Sequence, residues 1–271
     1  MTIPSKVAER LISGLKRFQP IVLDAKSRDV NESDTSTIVT DMMADLFGYN
    51  KFTEVTREHA IKGTYCDIAT RIDGKMQMII EVKAIGLDLK DSHMKQAVDY
   101  AANQGIEWVA LTNAHYWKVF RVMFTQPINA ELVLEMDYLN LNPKDQNHLE
   151  NLYLLTRESM IKSGLYAYHD QLQATNRFYL GAVILSDPVI EVIRREIRRL
   201  SPDVKIQTDD LRVALRQDVL KRDVIEGEKA EAARKKVQKT AGKMLKAKKK
   251  IAETKTETGK IPKIDDIPNQ P

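Results

Sequence analysis

The segment MIIEVKA, residues 78–84, places two opposite charges at the end of an apolar run. Glu81 and Lys83 are two residues apart, and residues i and i+2 of a strand point to the same face of a sheet. A carboxylate and an ammonium group are therefore expected side by side on one face. Because the rest of the run is apolar, that face needs a functional reason to hold charge.

A second carboxylate precedes this run, on the other side of a turn. Asp67 lies on the strand before Asp73-Gly74, a sequence typical of hairpin turns. Opposed residues of an antiparallel hairpin have numbers with a constant sum and share a face, so Asp67 and Glu81 meet only if that sum is even. A two-residue loop at Asp73-Gly74 gives 147, whereas a three-residue loop with a G1 bulge at Gly74 gives 146. We therefore expect the three-residue loop.

Two carboxylates that converge at a sheet edge can hold a hard divalent cation through oxygen. Mg²⁺ is the expected cofactor, with Mn²⁺ as an alternative, because Mg²⁺ takes few protein carboxylates and keeps several waters. Such an ion polarises a phosphodiester and lowers the pKa of a bound water. Lys83 would orient that water or stabilise the charge that develops on phosphorus-bound oxygen. Asp67 and Glu81 are the expected metal ligands on this argument.

The surrounding pattern predicts an α/β fold in which helices flank a mixed sheet. Apolar spacing predicts a helix over residues 4–18, and Asn31 is a typical N-cap for a second helix that ends at Gly48. Gly105 ends a third helix, in SHMKQAVDYAANQG. Five strands are predicted, in residues 53–61, 65–72 and 76–84 and in the segments WVALTN and WKVFRV.

Beyond about Pro143 the pattern is helical, and the composition changes again at Gly227. We expect an α/β domain over residues 1–142, a helical region over 143–226 with a DNA-binding role, and a basic tail over 227–271. The tail carries 13 Lys and Arg against 6 Asp and Glu, which leaves 29 basic and 32 acidic residues in the rest of the chain. A tail of this charge suits a polyanion, as a solvated helix or a disordered arm.

Composition also excludes several classes of protein. The single cysteine excludes an internal disulfide, and the five histidines show no spacing typical of a zinc site. The sequence shows neither an apolar run long enough to span a membrane nor a signal peptide. We therefore expect a cytoplasmic protein with no membrane partner.

The residues around this pair of carboxylates resemble a known nuclease superfamily. Asp67, thirteen intervening residues and then Glu81-Val-Lys83 resemble the PD-(D/E)xK motif. The segments NESDTSTIVTDMMADLFGYN, YCDIATRIDGKMQMIIEVK and QAVDYAANQGIEWVALTNAHYWKVFRV are similar to the N-terminal nuclease domain of type I restriction enzyme motor subunits and its stand-alone relatives. The resemblance covers residues 30–125, with a weaker likeness to residue 222.

This resemblance implies further site residues. It implies that Glu32 joins Asp67 and Glu81 at the metal, that Lys83 is catalytic, and that Gln96 and Tyr100 form the Q-x-x-x-Y pair of a catalytic helix. Glu32 has an alternative role as a helix N-terminal acid. Gln96 and Tyr100 have alternative roles as a surface polar residue and an aromatic at the edge of the core. The sequence contains no G-x-x-x-x-G-K-[ST] motif for ATP-driven translocation.

The sequence favours a Mg²⁺-dependent DNA endonuclease of the restriction or defence type. The alternatives are a non-catalytic nucleic-acid-binding protein on a nuclease-like scaffold, which would grip DNA through residues 187–222, and a subunit that needs a motor partner. DNA is the expected partner in each case. A homo-oligomer and a partner motor or specificity subunit both remain open.

Overall fold

The structure, a computed structural model, describes the backbone of residues 2–61 and 64–257, and the side chains of residues 2–57, 66–90 and 92–242. The elements up to residue 137 are α1 Ser5–Ser27, α2 Glu32–Asp41, β1 Val55–Ile61, β2 Thr64–Ile72, β3 Lys75–Val82, α3 Lys95–Gln104, β4 Trp108–Thr112, β5 Tyr116–Met123 and β6 Asn129–Asp137. The helices that follow are α4 Gln146–Leu154, α5 Arg157–Ile161, α6 Gly164–Thr175, α7 Arg177–Ile184, α8 Asp187–Leu200, α9 Thr208–Ala214, α10 Arg222–Ile225 and α11 Glu228–Glu257.

The strands of the described residues form one mixed sheet in the order β1-β2-β3-β4-β5-β6. β3 and β4 are parallel and are joined through α3, whereas the other neighbouring strands are antiparallel. The expected α/β fold with a mixed sheet and flanking helices is confirmed. The sixth strand was not expected, because β6 lies at the edge of the sheet and its sequence NAELVLEMD has several exposed positions.

Both faces of the sheet are covered, which explains why β3 is apolar at nearly every position. On one face α1, α4 and the π-helical turn after α2 pack against side chains such as Ile68, Ile80 and Trp117. On the other face α3 packs against Ile79 and its neighbours. Each fully buried side chain of this kind contributes about 1.5–3 kcal/mol to the stability of the fold. Strand β3 therefore lies in the centre of the core, and a charged residue within it is exceptional.

Helix boundaries agree with the local sequence signals in most places. Asn31 caps α2, because its side-chain oxygen accepts a hydrogen bond of 2.9 Å from the Asp34 N–H. α1 is longer than the expected residues 4–18: it continues through Pro20 to Ser27, since Val22 and Ala25 extend its buried stripe. The cap fixes the start of α2, which is where Glu32 lies.

Contacts divide the chain into two compact units, Met1–His169 and Asp170–Pro271. The first contains the sheet, α1 to α5 and the first half of α6. In the second, α7 packs against α10 and α11, where Ile225 and Ala230 are buried. The domain boundaries at residues 142 and 226 stay predictions.

The basic tail begins as helix α11, and residues 258–271 of the expected tail lie outside the described residues. Within the part of the chain that the structure describes, no helix is both long enough and apolar enough to cross a membrane.

Candidate active site

The β2–β3 hairpin brings Asp67 and Glu81 to the same face by a different route from the one expected. The loop has two residues, Asp73 and Gly74, and both have positive φ angles, of 50° and 76°. The expected three-residue loop is therefore wrong. An extra residue, Gln77, lies opposite no residue of β2, since Arg71 pairs with Met76 and Thr70 pairs with Met78.

This bulge in β3 changes the sum of paired residue numbers from odd to even. Beyond it, Ile68 lies opposite Ile80 and Ala69 opposite Ile79, so paired numbers add to 148. Continued by one residue, that register sets Asp67 opposite Glu81. The even sum that the chemistry requires is present, but the bulge supplies it and the turn does not.

Asp67 is fixed by the backbone of the neighbouring strand. Its Oδ2 accepts a hydrogen bond of 2.7 Å from the Val82 N–H. The regular pairing of β2 with β3 ends at Ile68 and Ile80, so this side chain satisfies a backbone donor that β2 no longer pairs. The Asp67 carboxylate is thereby held at the end of β3, close in space to Glu81 and Lys83.

Lys83 lies between two carboxylates that come from different elements. Its Nζ is 2.8 Å from Glu81 Oε1 and 3.4 Å from Glu32 Oε2, at the N-terminus of α2. Side-chain exposure is 8% for Glu81 and 17% for Lys83 but 51% for Glu32. The structure thus brings Glu32, Asp67, Glu81 and Lys83 together, with Glu32 on the solvent side.

The surroundings of the cluster shift the pKa values of Glu81 and Lys83. Burial raises the pKa of the Glu81 carboxyl group, and the charges of Asp67 and Glu32 raise it further, although Lys83 opposes them. Burial lowers the pKa of Lys83, but the contact with Glu81 and the nearby carboxylates outweigh burial, so the pKa is raised. Lys83 is therefore protonated at neutral pH. Three carboxylates against one ammonium leave an excess of negative charge that a cation would neutralise.

Asn113, which was not among the expected site residues, fixes the segment that follows β3. Asn113 is buried, and its Nδ2 donates hydrogen bonds to the carbonyl groups of Ile85 at 3.1 Å and Leu87 at 3.0 Å. The Lys83 N–H donates to the Thr112 carbonyl oxygen at 2.9 Å, which extends the β3–β4 ladder by one residue. Sequence reasoning missed Asn113, although a polar residue directly after the apolar run WVALT was a signal for it.

Gln96 and Tyr100 both lie on α3, in different surroundings. Tyr100 is buried between α3 and the sheet, where burial and the neighbouring Cys66 thiol raise its pKa to about 12. Cys66 directly precedes Asp67. Gln96 is on the exposed surface of the helix. Their expected roles in the site stay predictions.

The oxygen ligands of the site suit a hard cation. Among the residues whose side chains are described, no group of three or more His, Cys, Asp or Glu side chains is arranged to hold a metal ion. Mg²⁺ needs fewer protein ligands than that, because it is commonly held by one or two carboxylates and otherwise by water. Asp67 and Glu81, with Glu32 beside them, fit that requirement in ligand type and in excess charge.

Comparison with known proteins adds an observation that is independent of this geometry. The central part of the chain matches the family model of the type I restriction enzyme R protein N terminus (HSDR_N). Residues 47–133 are an HSDR_N domain. No curated protein and no solved structure matches the chain.

The HSDR_N domain covers β1 to β5 and the first part of β6. It includes Asp67, Glu81, Lys83, Gln96 and Tyr100, whereas Glu32 lies before its first residue. This family match makes the domain a restriction-nuclease-like domain. Helix α2 therefore brings Glu32 to the cluster from outside the matched segment.

Proposed function

We propose that this protein is a Mg²⁺-dependent DNA endonuclease of the restriction or defence type. The observation that carries the proposal is the meeting of Asp67, Glu81 and Lys83 at the end of β3, inside an HSDR_N domain. Fold likeness alone would not support an activity, because folds host many functions. A carboxylate pair beside an ammonium, with excess negative charge, is an arrangement suited to metal-assisted phosphodiester hydrolysis.

In this proposal Asp67 and Glu81 hold the cation and Glu32 completes the set, directly or through water. Such an ion, when bound, would supply a water of lowered pKa and would polarise the phosphodiester. The Val82 N–H fixes the Asp67 carboxylate in one orientation, so little reorganisation is needed when the substrate binds.

Lys83 is the proposed catalytic ammonium. It is protonated at neutral pH because the surrounding carboxylates raise its pKa, so it can donate to the phosphate oxygen on which charge develops. With Glu81 engaged in holding the cation, Lys83 would be available to the substrate. Gln96, on the exposed side of α3, is a candidate DNA contact, and Tyr100 is a candidate support for the strand that carries Asp67.

The test is a cleavage assay on supercoiled, linear and single-stranded DNA with Mg²⁺, with Mn²⁺ and with EDTA. We expect metal-dependent cleavage of at least one form of DNA, abolished by EDTA and by the substitution Lys83→Met. DNA binding without cleavage of any form, in either metal, would contradict the proposal and favour the non-catalytic DNA-binding function. Cleavage that appears only after addition of a cell extract would favour the subunit that needs a motor partner.

A further inference from the structure

The second compact unit contains a cavity of about 410 Å³ that the proposed nuclease site does not use. It is formed by α7, the start of α8, α9 with the π-helical turn after it, and α11. Three arginines from different elements line it: Arg212, Arg216 and Arg234. A volume of this size lies in the range that accommodates a small organic ligand.

The three arginines are not equivalent. Arg212 is engaged by two carboxylates, at 2.6 Å from Asp187 and 2.7 Å from Asp209. Arg216 and Arg234 make no ion pair or hydrogen bond with any of the side chains that the structure describes; Arg216 is exposed and Arg234 is half-buried. The cavity therefore presents two guanidinium groups that form no ion pair with a described carboxylate, while Asp187, which also lines the cavity, is paired with Arg212. Such groups match phosphate oxygens in geometry and charge.

Part of the lining is apolar. It consists of Ala182 on α7, Leu185 directly after that helix, and Val237 and Ala241 on α11. A bare inorganic anion would gain nothing from this surface, whereas a ligand that carries both a phosphate group and a larger body would use both parts of the cavity.

We propose that this cavity binds the phosphate monoester of a nucleotide, with the phosphate on Arg216 and Arg234 and the nucleoside against the apolar wall. A monoester carries close to two negative charges at neutral pH, which two guanidinium groups balance. Two sources have this chemistry: a free mononucleotide and the 5′-phosphate end of a DNA strand. The choice of a nucleotide as the carrier of the phosphate rests on the proposed function on DNA. The phosphate-binding role of the two arginines does not.

The test is direct binding to the full chain by calorimetry, in buffer without divalent metal so that no cleavage interferes. The probes are thymidine 5′-monophosphate, thymidine, and one short single-stranded oligonucleotide prepared with a 5′-phosphate and with a 5′-hydroxyl. Thymidine monophosphate should bind and thymidine should not if the phosphate is required. Tighter binding of the 5′-phosphate oligonucleotide than of the 5′-hydroxyl form would identify a DNA end as the source, and equal binding of the two would identify the free nucleotide.

The variant Arg216→Gln/Arg234→Gln should weaken binding of thymidine monophosphate by about tenfold for each guanidinium removed. The matched control is Lys205→Gln/Lys229→Gln. It removes the same charge from two exposed residues of the same unit that do not line the cavity and make no ion pair among the described residues. The control should bind as the wild type does.

Three results would overturn the proposal: no binding of either phosphorylated probe, binding that the arginine double variant leaves unchanged, and an equal loss of binding in the lysine control. Inorganic phosphate that binds as tightly as thymidine monophosphate would overturn the role of the apolar wall. Because no cleavage is measured, failure of the nuclease assay would not produce any of these results.

Discussion

The ion pair between Lys83 and Glu81 offers a quantitative test of the electrostatics of the candidate site. The substitution Lys83→Met keeps much of the side-chain volume and removes the ammonium 2.8 Å from Glu81. Removing one partner of a fully buried pair costs roughly 3–5 kcal/mol, whereas exposed pairs contribute roughly 0–1 kcal/mol. Because Lys83 keeps 17% of its side chain exposed, we expect an intermediate loss of about 2 kcal/mol in the free energy of unfolding.

The partner substitution should have a smaller effect. Burial and the nearby carboxylates raise the pKa of Glu81, so the fold disfavours the ionised form of this side chain. Glu81→Gln removes that charge and should change the free energy of unfolding by less than about 1 kcal/mol. In the double variant Lys83→Met/Glu81→Gln, the neutral amide at position 81 leaves no buried carboxylate without a counter-charge. We therefore expect the double variant to recover part of the Lys83→Met loss, with a coupling energy of about 1–2 kcal/mol.

Urea unfolding followed by tryptophan fluorescence is the suitable assay, because both tryptophans of the chain, Trp108 and Trp117, are buried in the first unit. The control cycle uses the exposed pair Arg17 and Asp45, which are 2.7 Å apart with 60% and 47% of their side chains exposed. Its coupling should stay below about 0.5 kcal/mol. A Lys83–Glu81 coupling no larger than that of the control pair would show that partial burial does not strengthen this ion pair.

The same variants should respond to pH with a defined sign. A carboxyl group whose pKa is higher in the folded chain takes up a proton more readily there, so stability falls as pH rises from the usual carboxyl range through the raised value. The loss caused by Lys83→Met should therefore be smaller at about pH 5 than at about pH 7, since Glu81 gains a proton. A loss that grows as pH falls would contradict this assignment.

Three further predictions concern the parts around the cluster. Deletion of the bulge residue Gln77 should leave every later side chain of β3 on its present face. The free energy of unfolding should therefore change by less than about 1.5 kcal/mol and DNA cleavage should persist, whereas loss of cleavage in a folded variant would contradict this pairing of β2 with β3. Asn113→Asp cannot donate to the Ile85 and Leu87 carbonyl groups, so its free energy of unfolding in urea should be about 2 kcal/mol lower than that of the wild type. A variant as stable as the wild type would show that these hydrogen bonds contribute nothing. Truncation after Gly242 removes eight lysines and four acids, and should flatten the dependence of log DNA affinity on log salt; an unchanged slope would indicate that the tail does not contact DNA.

Truncation after Gly242 tests the tail more cleanly than truncation after Gly227. Ala230 is buried where α11 packs against α7, so a cut at Gly227 would remove part of the core of the second unit. The cut at Gly242 keeps this contact and also keeps Arg234 in the cavity. The change in salt dependence can then be attributed to the removed charges.

Local signals in the sequence were enough to predict much of the site. The apolar run before Glu81, the i, i+2 spacing of Glu81 and Lys83, and the requirement of an even sum with Asp67 depend only on strand geometry. The cap at Asn31 was equally local. These features follow from a few neighbouring residues, so tertiary packing does not change them.

The features that were missed depend on contacts between distant segments. The hairpin loop has the two residues that Asp73-Gly74 favours, and the extra residue of the hairpin is Gln77, within β3. This bulge places the following side chains of β3 on the faces that pack against the two layers of helices. Strand β6 is ordered by pairing with β5, not by its own apolar content. Asn113 gains its role from carbonyl groups 26 and 28 residues earlier in the chain. The polar position after WVALT singles out the residue, but the local sequence does not identify these partners.

The most direct test of the central claim is the rate of DNA cleavage in Mg²⁺ by the wild type and by two acid-to-amide variants. Glu81→Gln removes a ligand that the account assigns to the cation, and this variant is expected to fold. Glu135→Gln is the matched control, because Glu135 lies on β6 with 54% of its side chain exposed and pairs with a different lysine. We expect cleavage by Glu81→Gln to fall by about 100-fold or more, and cleavage by Glu135→Gln to match the wild type. Cleavage by Glu81→Gln at the wild-type rate would contradict the account.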